Sequence, residues 1–408
     1  MHQSKRLPFS SFKEISKNAQ GRNIVFWGAG EIAVKTSKKI LPQKVSFIID
    51  NNQNIWGTEE IDIKINIFSP SYLKENKKVF ILICTTSFIE VADQLQELGF
   101  IPEQDFIVSP ILNDLRIIAE LESIQTKLLF SSGTIKDNHP QYGGGIYELS
   151  INEDRWEHTK IHSGRCHGML KWKDGFVAID QEQGLLYFDK SYSILKKVPI
   201  AEGTRGHGIA YSEITDCFYI VSSHLDRILV YTSDFIYKSE IKLSNKHDLG
   251  GRAMHHPNDI CIIENSIYVS MFSYSGNHIR EIFDGVVLEI DLLSQKIRGP
   301  VITNLWMPHN VAFHDGSLVI LDSLRGYLRK YNAQSIGEFP GFTRGLAYDG
   351  IHYFIGQSRN RNFSKYIGLS KNISIDASII IFDEQTKVSR SIQLPSKISE
   401  IHSILHLQ

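Results

Sequence analysis

The sequence is short of the features that would place it in a simple class. It has four cysteines in 408 residues, Cys84, Cys166, Cys217 and Cys261, far apart and without a CxxC pairing. That excludes a disulfide framework or a zinc ribbon, and three of the four lie in or beside apolar strand-like runs, as reduced packing residues of a cytosolic protein do. No apolar run approaches the length of a membrane span, and the basic stretch MHQSKRLPFSSFKEISKNAQ has no apolar core of signal-peptide length. A soluble, cytoplasmic protein without a membrane partner is expected. Charge of one sign is also missing: 44 basic against 45 acidic residues leave a net charge near zero. No whole-chain field draws in nucleic acid, and none is expected as a partner.

Length and histidine are what the chain has in quantity. At 408 residues it exceeds one ordinary core and fits two units. RNIVFWGAGEIAVKTSKKI opens as an apolar strand, turns at Gly28, Ala29 and Gly30, and continues as a helix carrying Ala33. The strand KVSFIID ends on Asp50, 22 positions after Gly28, close to where an acidic residue meets a ribose hydroxyl in a dinucleotide-binding unit. SPSYLKEN reads as a helix with a serine cap and a proline in its first turn, KVFILICTT as a strand, and SFIEVADQLQELGF as a helix from Ser87. Alternating strands and helices imply a small parallel α/β sheet. A glycine turn of this kind lets a pyrophosphate approach amides at a helix N-terminus, and it also serves structural or docking roles without a ligand. NDLRIIAELESIQTKLL, from Asn113, predicts a bridging helix, so that residues 1–112 form the first domain and 113–126 the bridge.

The run FWGAGEIA, FIIDNN, WG, SP, VFILICTTSF and QLQELGF, over residues 22 to about 110, resembles the small Rossmann-like domain attached to bacterial glycosyltransferases, methyltransferases and sugar acetyltransferases of surface-polysaccharide pathways. In the acetyltransferases that domain holds a nucleotide-sugar. The resemblance implies Gly28, Gly30 and Asp50 as contacts to a nucleotide or nucleotide-sugar here, and a place in glycan biosynthesis.

Beyond residue 127 helix signals almost vanish, and short β-rich runs alternate with Gly, Asn, Asp and Ser turns. Aligning the apolar strand starts gives RCHGMLKW, RGHGIAYS, HPNDICII, MPHNVAFH, FTRGLAYD and SEIHSILH. All but the last are followed by a second apolar run and a third, as in GFVAID and GLLYFD. Six repeats from 127 to 408 are 47 residues each, the length of a four-stranded propeller blade. An all-β six-bladed propeller is predicted. The sixth repeat has one strand and the region from Lys127 lacks its first, so the C-terminal strand is expected to complete that blade and remove an open edge.

Two positions before the first apolar residue of each repeat (Met169, Ile209, Ile260, Val311, Leu346, Ile404) stand His167, His207, Asn258, His309, Arg344 and His402. Their spacings of 40, 51, 51, 35 and 58 match no local periodicity, and only a blade register aligns them. Imidazoles converging with an amide oxygen suit a divalent transition metal such as Zn, Mn, Fe or Ni. His167, His207, Asn258 and His309 are therefore the predicted metal ligands, with a position left for water or substrate. His256, Arg344, His402 and Arg205 are the catalytic candidates, Arg344 as a fork for a substrate carboxylate or phosphate. Glu400 and Asp322 are candidates for proton transfer or orientation. A protonated histidine ring could instead hold an anion. His162, His224, His255 and His314, taken singly, read as surface or hydrogen-bonded structural residues.

MPHNVAFHDGSLVILDSLRGYL and PGFTRGLAYDGIHYFIGQSR resemble an uncharacterised bacterial propeller family, a domain of unknown function found in or beside glycan-related genes, over most of residues 127–408. HPNDI is similar, more distantly, to a strand of the gluconolactonase and senescence-marker family, whose asparagine binds a divalent metal; this implies the same for Asn258. Histidines stand where that family has acidic ligands, an arrangement closer to propeller lyases such as the peptide-amidating lyase. The leading expectation is a metal-dependent lyase, hydrolase or isomerase acting on a sugar, nucleotide-sugar or small anionic metabolite. Competing with it are a non-catalytic recognition scaffold and an NAD-linked oxidoreductase using the GAGEIA turn.

Overall fold

A computed structural model describes residues 6–40, 45–201, 203–332, 334–361 and 372–407; the first five residues of the basic N-terminal stretch lie outside them. The chain divides into two compact units, Met1–Glu122 and Ser123–Gln408. No helix among the described residues is long and apolar enough to cross a membrane.

In the first unit, five parallel strands lie in the spatial order Ile65–Phe68, Val45–Ile49, Asn23–Trp27, Val79–Ile83 and Phe106–Val108. The antiparallel pair Glu59–Glu60 lies at the edge beside Ile65–Phe68. Alternate residues serve opposite faces. Val25, Trp27, Ile81 and Ile83 pack with Val91 and Leu95 of the helix Phe88–Glu97. Ile24, Phe26, Phe80 and Leu82 pack with Ile15 of the helix Phe12–Ala19 and Ala33 of the helix Glu31–Ser37. Burial on both faces is why NIVFW and VFILI are continuous apolar runs.

Two elements differ from expectation. SPSYLKEN forms a 3-10 stretch, Pro70–Lys74, rather than an α-helix, one of the short 3-10 pieces that commonly serve as connectors. The helix from Asn113 ends at Glu122, and QTKLLFSS is the strand Gln125–Ser132, whose backbone groups are taken by ladders on both sides.

The second unit is a six-bladed β-propeller of six four-stranded antiparallel sheets. The first strand of each sheet touches that of its neighbours in a closed ring: Cys166–Trp172, Gly206–Ser212, Pro257–Ile263, His309–His314, Phe342–Tyr348 and Ser403–Leu407. These are the inner strands of blades 1 to 6. Blade 6 is composite, as the sequence predicts: Ser403–Leu407 pairs with Gln125–Ser132, Ile404 opposite Phe130, and Gly145–Asn152 and Arg155–Ser163 complete the sheet. Blades pack through apolar faces, as where Ala210, Val221 and Ile228 of blade 2 meet Ile260, Val269 and Leu288 of blade 3; each such aliphatic side chain contributes about 1.5–3 kcal/mol.

A bulge interrupts the inner strands. The register slips between Cys166 and Met169, Gly206 and Ile209, Pro257 and Ile260, and Thr343 and Leu346, leaving His167, His207, Asn258 and Arg344 in the bulges. In blade 4 the slip lies between His309 and Ala312, so His309 is the last paired residue before the bulge and not part of it. Bulges re-aim side chains, and here they turn four repeats into one layer.

Ending the chain after His402, which removes the strand Ser403–Leu407, is expected to lower the propeller's Tm by about 10 °C or more in scanning calorimetry. An unchanged transition would show that ring closure does not stabilise the fold.

Candidate functional site

His167, His207 and His402, from blades 1, 2 and 6, come together at the centre of the ring, one nitrogen of each within 4.8 Å of the others. The rings of His167 and His402 stack at 4.0 Å, 11° from parallel, and His207 meets His167 edge-on at 4.5 Å. They are 3, 8 and 8% exposed. Ring contacts continue around the axis. His207 lies 5.9 Å from His256, His256 4.5 Å from Phe272, Phe272 5.3 Å from His309, and His309 5.5 Å from Phe342. The Arg344 guanidinium covers Phe342 at 4.8 Å, and its Nη1 closes the circuit 3.4 Å from His402 Nε2.

Burial sets the protonation of this cluster. It pushes His167, His207, His256 and His309 well below the ordinary imidazole value, reinforced by neighbouring histidines and by Arg344. Burial also takes His402 down to about 4, against the opposing effect of its contact with Glu400. All five are neutral at pH 7, the form that ligates a metal. For Glu400 burial works upward, but the His402 contact and the charges of Arg344 and Arg361 outweigh it and hold the carboxyl far below its usual range.

Several buried polar atoms here have no partner. His167 Nδ1, His207 Nε2, His309 Nε2 and Asn258 Oδ1 are shut off from solvent without a hydrogen bond, an arrangement that costs about 1–3 kcal/mol per group unless something is bound. His309 Nδ1 lies 2.9 Å from Met307 O, a carbonyl that can only accept, so Nδ1 carries the proton and Nε2 presents its lone pair. Gly133 leaves the edge of the cluster clear: a Cβ there would lie 2.5 Å from His402 Nε2 and 2.8 Å from His167 Nε2. Neutral imidazoles, unsatisfied lone pairs and a gap kept by a glycine fit a divalent transition ion.

The structure redistributes the roles expected from sequence. His402, expected as catalytic, belongs to the tightest histidine group with His167 and His207. Asn258 occupies the corresponding bulge of blade 3 and donates Nδ2 to His256 O at 3.1 Å. His309 stands outside that group, because its blade resumes pairing one residue later. Arg344 is not a free anion fork. Its Nη1 donates to Glu400 Oε2 at 3.3 Å, and Glu400 also meets Arg361 at 3.1 Å and His402 at 3.2 Å. Asp322 is not placed for proton transfer either: Oδ1 accepts from Trp306 N at 2.6 Å, and Oδ2 pairs with Arg325 at 3.1 Å and Arg329 at 3.0 Å.

His256 and Arg205 face a 550 Å³ cavity, which they line with His224, Arg252 and His278. His256 is held by its backbone, Asp226 Oδ1 accepting its N–H at 2.9 Å. Arg165, Arg205 and His224 line an adjoining 380 Å³ cavity. Sequence reasoning missed Arg165 and His278 and treated His224 as structural. The signal available for Arg165 was its place directly before blade 1's inner strand, which Arg205 shares in blade 2. Three other histidines have partners of their own, and His162 also stands with Cys166 and Asp180 in a second group whose ligand atoms lie within 4.8 Å of one another. His162 bonds Asp180 at 3.0 Å, His255 bonds Ser244 at 2.7 Å and Ser273 O at 2.9 Å, and His314 packs on Tyr348 and Tyr353.

In the first unit, Gly28 has φ +112° and a Cβ there would lie 2.7 Å from Cys84 O, whereas Gly30 has open space around it. Asp50 accepts from Ala29 N at 2.9 Å and Asn52 N at 2.8 Å. The carboxylate thus clamps the glycine turn, which accounts for both motifs structurally.

Residues 216–408 match the family described as Domain of unknown function (DUF4915). The match takes in Asn258, His309, Arg344 and His402 and excludes His167 and His207. A comparison with curated proteins finds no match. Solved structures with similarity include a chain of a nidogen/laminin complex (12% identity, 69% of this chain and 98% of that chain, TM-score 0.47). Others are a protein of unknown function from Bacteroides caccae (14%, 69% and 99%, 0.46) and a proposed gluconolactonase (14%, 56% and 78%, 0.41). At such identities these likenesses say nothing of chemistry.

The buried histidines make the propeller acid-sensitive. His402 takes up a proton near pH 6.5 when unfolded and near 4 when folded, so the unfolded chain binds protons first as pH falls. The stability is complete above pH 6.5 and is lost as pH drops toward 4, about 3 kcal/mol from His402 alone. Glu400 extends the loss below pH 4.5, since its folded carboxyl is depressed. Calorimetry across pH 8 to 4 is expected to show Tm falling through this window, and His402→Gln should flatten the slope.

Proposed function

We propose that the propeller is a metal-dependent enzyme, a lyase, hydrolase or isomerase, acting on a small anionic molecule at the mouth of the central channel. The observation that carries this reading is the convergence of three buried, neutral imidazoles, His167, His207 and His402, from three blades, with His256 linking them to a cavity. Asn258 Oδ1 and His309 Nε2 are further unsatisfied donors of electron pairs nearby. A divalent ion such as Zn, Mn, Fe or Ni would supply a Lewis acid and a bound water of lowered pKa.

The chain's own residues have separable parts in this reading. His256, neutral and lining the cavity, accepts a proton from the substrate or from water. Its ring is held between Phe272 and His278, 4.5 and 4.6 Å away, and Asp226 fixes its backbone. Glu400 stays ionised and holds both His402 and Arg344 in place. Arg344 then acts as a positioning residue, its charge balanced before any substrate arrives.

Protein purified without a histidine tag is expected to carry, or take up on reconstitution, about one equivalent of a transition metal. His167→Ala, His207→Ala and His402→Ala should each lower occupancy more than His309→Ala, and Gly133→Ala should weaken binding by crowding the imidazoles. Occupancy below about a tenth of an equivalent after reconstitution would sink the enzyme reading and leave the propeller a recognition scaffold.

The first unit supports a second, separate reading on one observation. Its parallel strands, numbered along the chain, lie in the order 3-2-1-4-5, which supports reading it as Rossmann-like. We read its ligand class as a nucleotide or nucleotide-sugar. Calorimetry is expected to show a sugar nucleotide bound by the wild type and lost with Asp50→Ala. Preferential binding of NAD would favour an oxidoreductase instead.

A further inference from the structure

We propose that Arg165 and Arg205 form an anion clamp at the channel mouth of blades 1 and 2, which holds the carboxylate or phosphate end of an organic ligand whose body extends over His256. That this ligand is the substrate rests on the enzymatic reading above; the binding itself does not.

The two arginines stand at the same place in neighbouring blades, immediately before Cys166 and Gly206, the first residues of their inner strands, and His256 stands there in blade 3, before Pro257. Arg165 and Arg205 share one cavity, and Arg205, His224 and His256 share the larger one beside it. Among the described residues neither arginine has an ion pair. Four other guanidiniums of the propeller are neutralised: Arg344 by Glu400 at 3.3 Å, Arg227 by Glu240 at 2.7 Å, Arg298 by Glu289 at 2.7 Å, and Arg329 by Asp322 at 3.0 Å. Glu182 lines the smaller cavity, but its ion pair is with Lys136 at 4.0 Å. Arg165 Nε is buried without a partner. Two like charges set side by side, with no carboxylate of the described residues in an ion pair with either, gain most when an anion joins them.

The backbone supports the same assignment. Arg205 has φ +42° and His256 φ +51°, left-handed conformations that cost a non-glycine residue of order 1 kcal/mol and persist where surrounding bonds hold them. Arg205 O accepts from Ser223 N at 3.3 Å and Ser223 Oγ at 3.2 Å, as Asp226 holds His256. His224 Nε2 accepts from Arg205 Nη1 at 3.1 Å, which orients the guanidinium with a neutral partner, while Glu400 acts on it only from a distance, outside ion-pair contact. The larger cavity, 550 Å³ with Leu225 and Ile279 on its wall, has the size and mixed lining of a small-molecule site and exceeds a bare inorganic ion. The ligand is therefore an organic acid or a phosphate ester, and the planar forks suit either oxyanion.

The test uses the full-length protein and three probes: citrate, glucose 6-phosphate and inorganic phosphate. Calorimetry on metal-free wild type is expected to show saturable, salt-sensitive binding of citrate or of glucose 6-phosphate, the preferred one identifying the oxyanion, and weaker binding of inorganic phosphate. Arg165→Ala and Arg205→Ala should each weaken it by about tenfold or more. Arg165→Lys and Arg205→Lys, which keep the charge and lose the fork, should fall between and serve where the alanine variants fold poorly. Absence of saturable binding to wild type, wild-type affinity in the Arg165→Ala/Arg205→Ala double variant, or equal binding of inorganic phosphate would each overturn the clamp. Because the assay needs no metal, a failed metal site and a failed anion site give different results.

Discussion

The site depends on one joint, the ladder that closes the ring. Ser403–Leu407 pairs with Gln125–Ser132, and Ser131 within that ladder ties two of the central histidines together. Ser131 O accepts from His402 N at 2.9 Å, its Oγ accepts from Ser403 N at 3.0 Å, and the same hydroxyl donates to His167 O. The stack of His167 on His402 is thus a consequence of closure. A chain that left blade 6 open would expose a strand edge and release one of the three clustered histidines together, so fold stability and site geometry are a single property here.

The bulge is the second device, repeated where the blades crowd. A Cβ on Gly168 would lie 2.2 Å from His207 O, and one on Gly208 would lie 2.6 Å from the Cα of Asp259. Backbones this close leave room for one side chain per blade, and the residue before each glycine supplies it. In blade 4, Asn310 has φ +51°, donates to His402 O at 3.3 Å and accepts from Gly345 N at 2.6 Å. It ties blade 4 to blades 5 and 6 instead of offering a ligand, and His309 is displaced to the pocket between Phe272 and Phe342.

Electrostatically the centre is divided. Around the histidines, burial disfavours the charged imidazole, and Glu400 is shared between Arg344 and Arg361. At the mouth, Arg165 and Arg205 have no ion pair among the described residues. A ligand approaching this surface meets positive charge first and unsatisfied lone pairs behind it, an order suited to drawing in an anion.

Much of this was legible in the chain. Blade length, six apolar starts and the missing first strand at Lys127 determined a six-bladed propeller closed by its C-terminus, because strand periodicity and edge avoidance are local and additive. The register of His167, His207, Asn258, Arg344 and His402 followed from the same count. The displaced bulge at His309 could not, since Val311 and Ala312 are both apolar and only the ladder with Ser317–Asp322 decides which resumes pairing. Nor could the sequence tell a free arginine from a neutralised one. Arg344 and Arg205 occupy similar TRG runs, yet Glu400 makes its ion pair with the first, at 3.3 Å, and Arg165 stands beside the second. Local pattern fixes which residues face the axis; which charges meet there depends on residues brought together from other blades, and that is decided by tertiary packing alone.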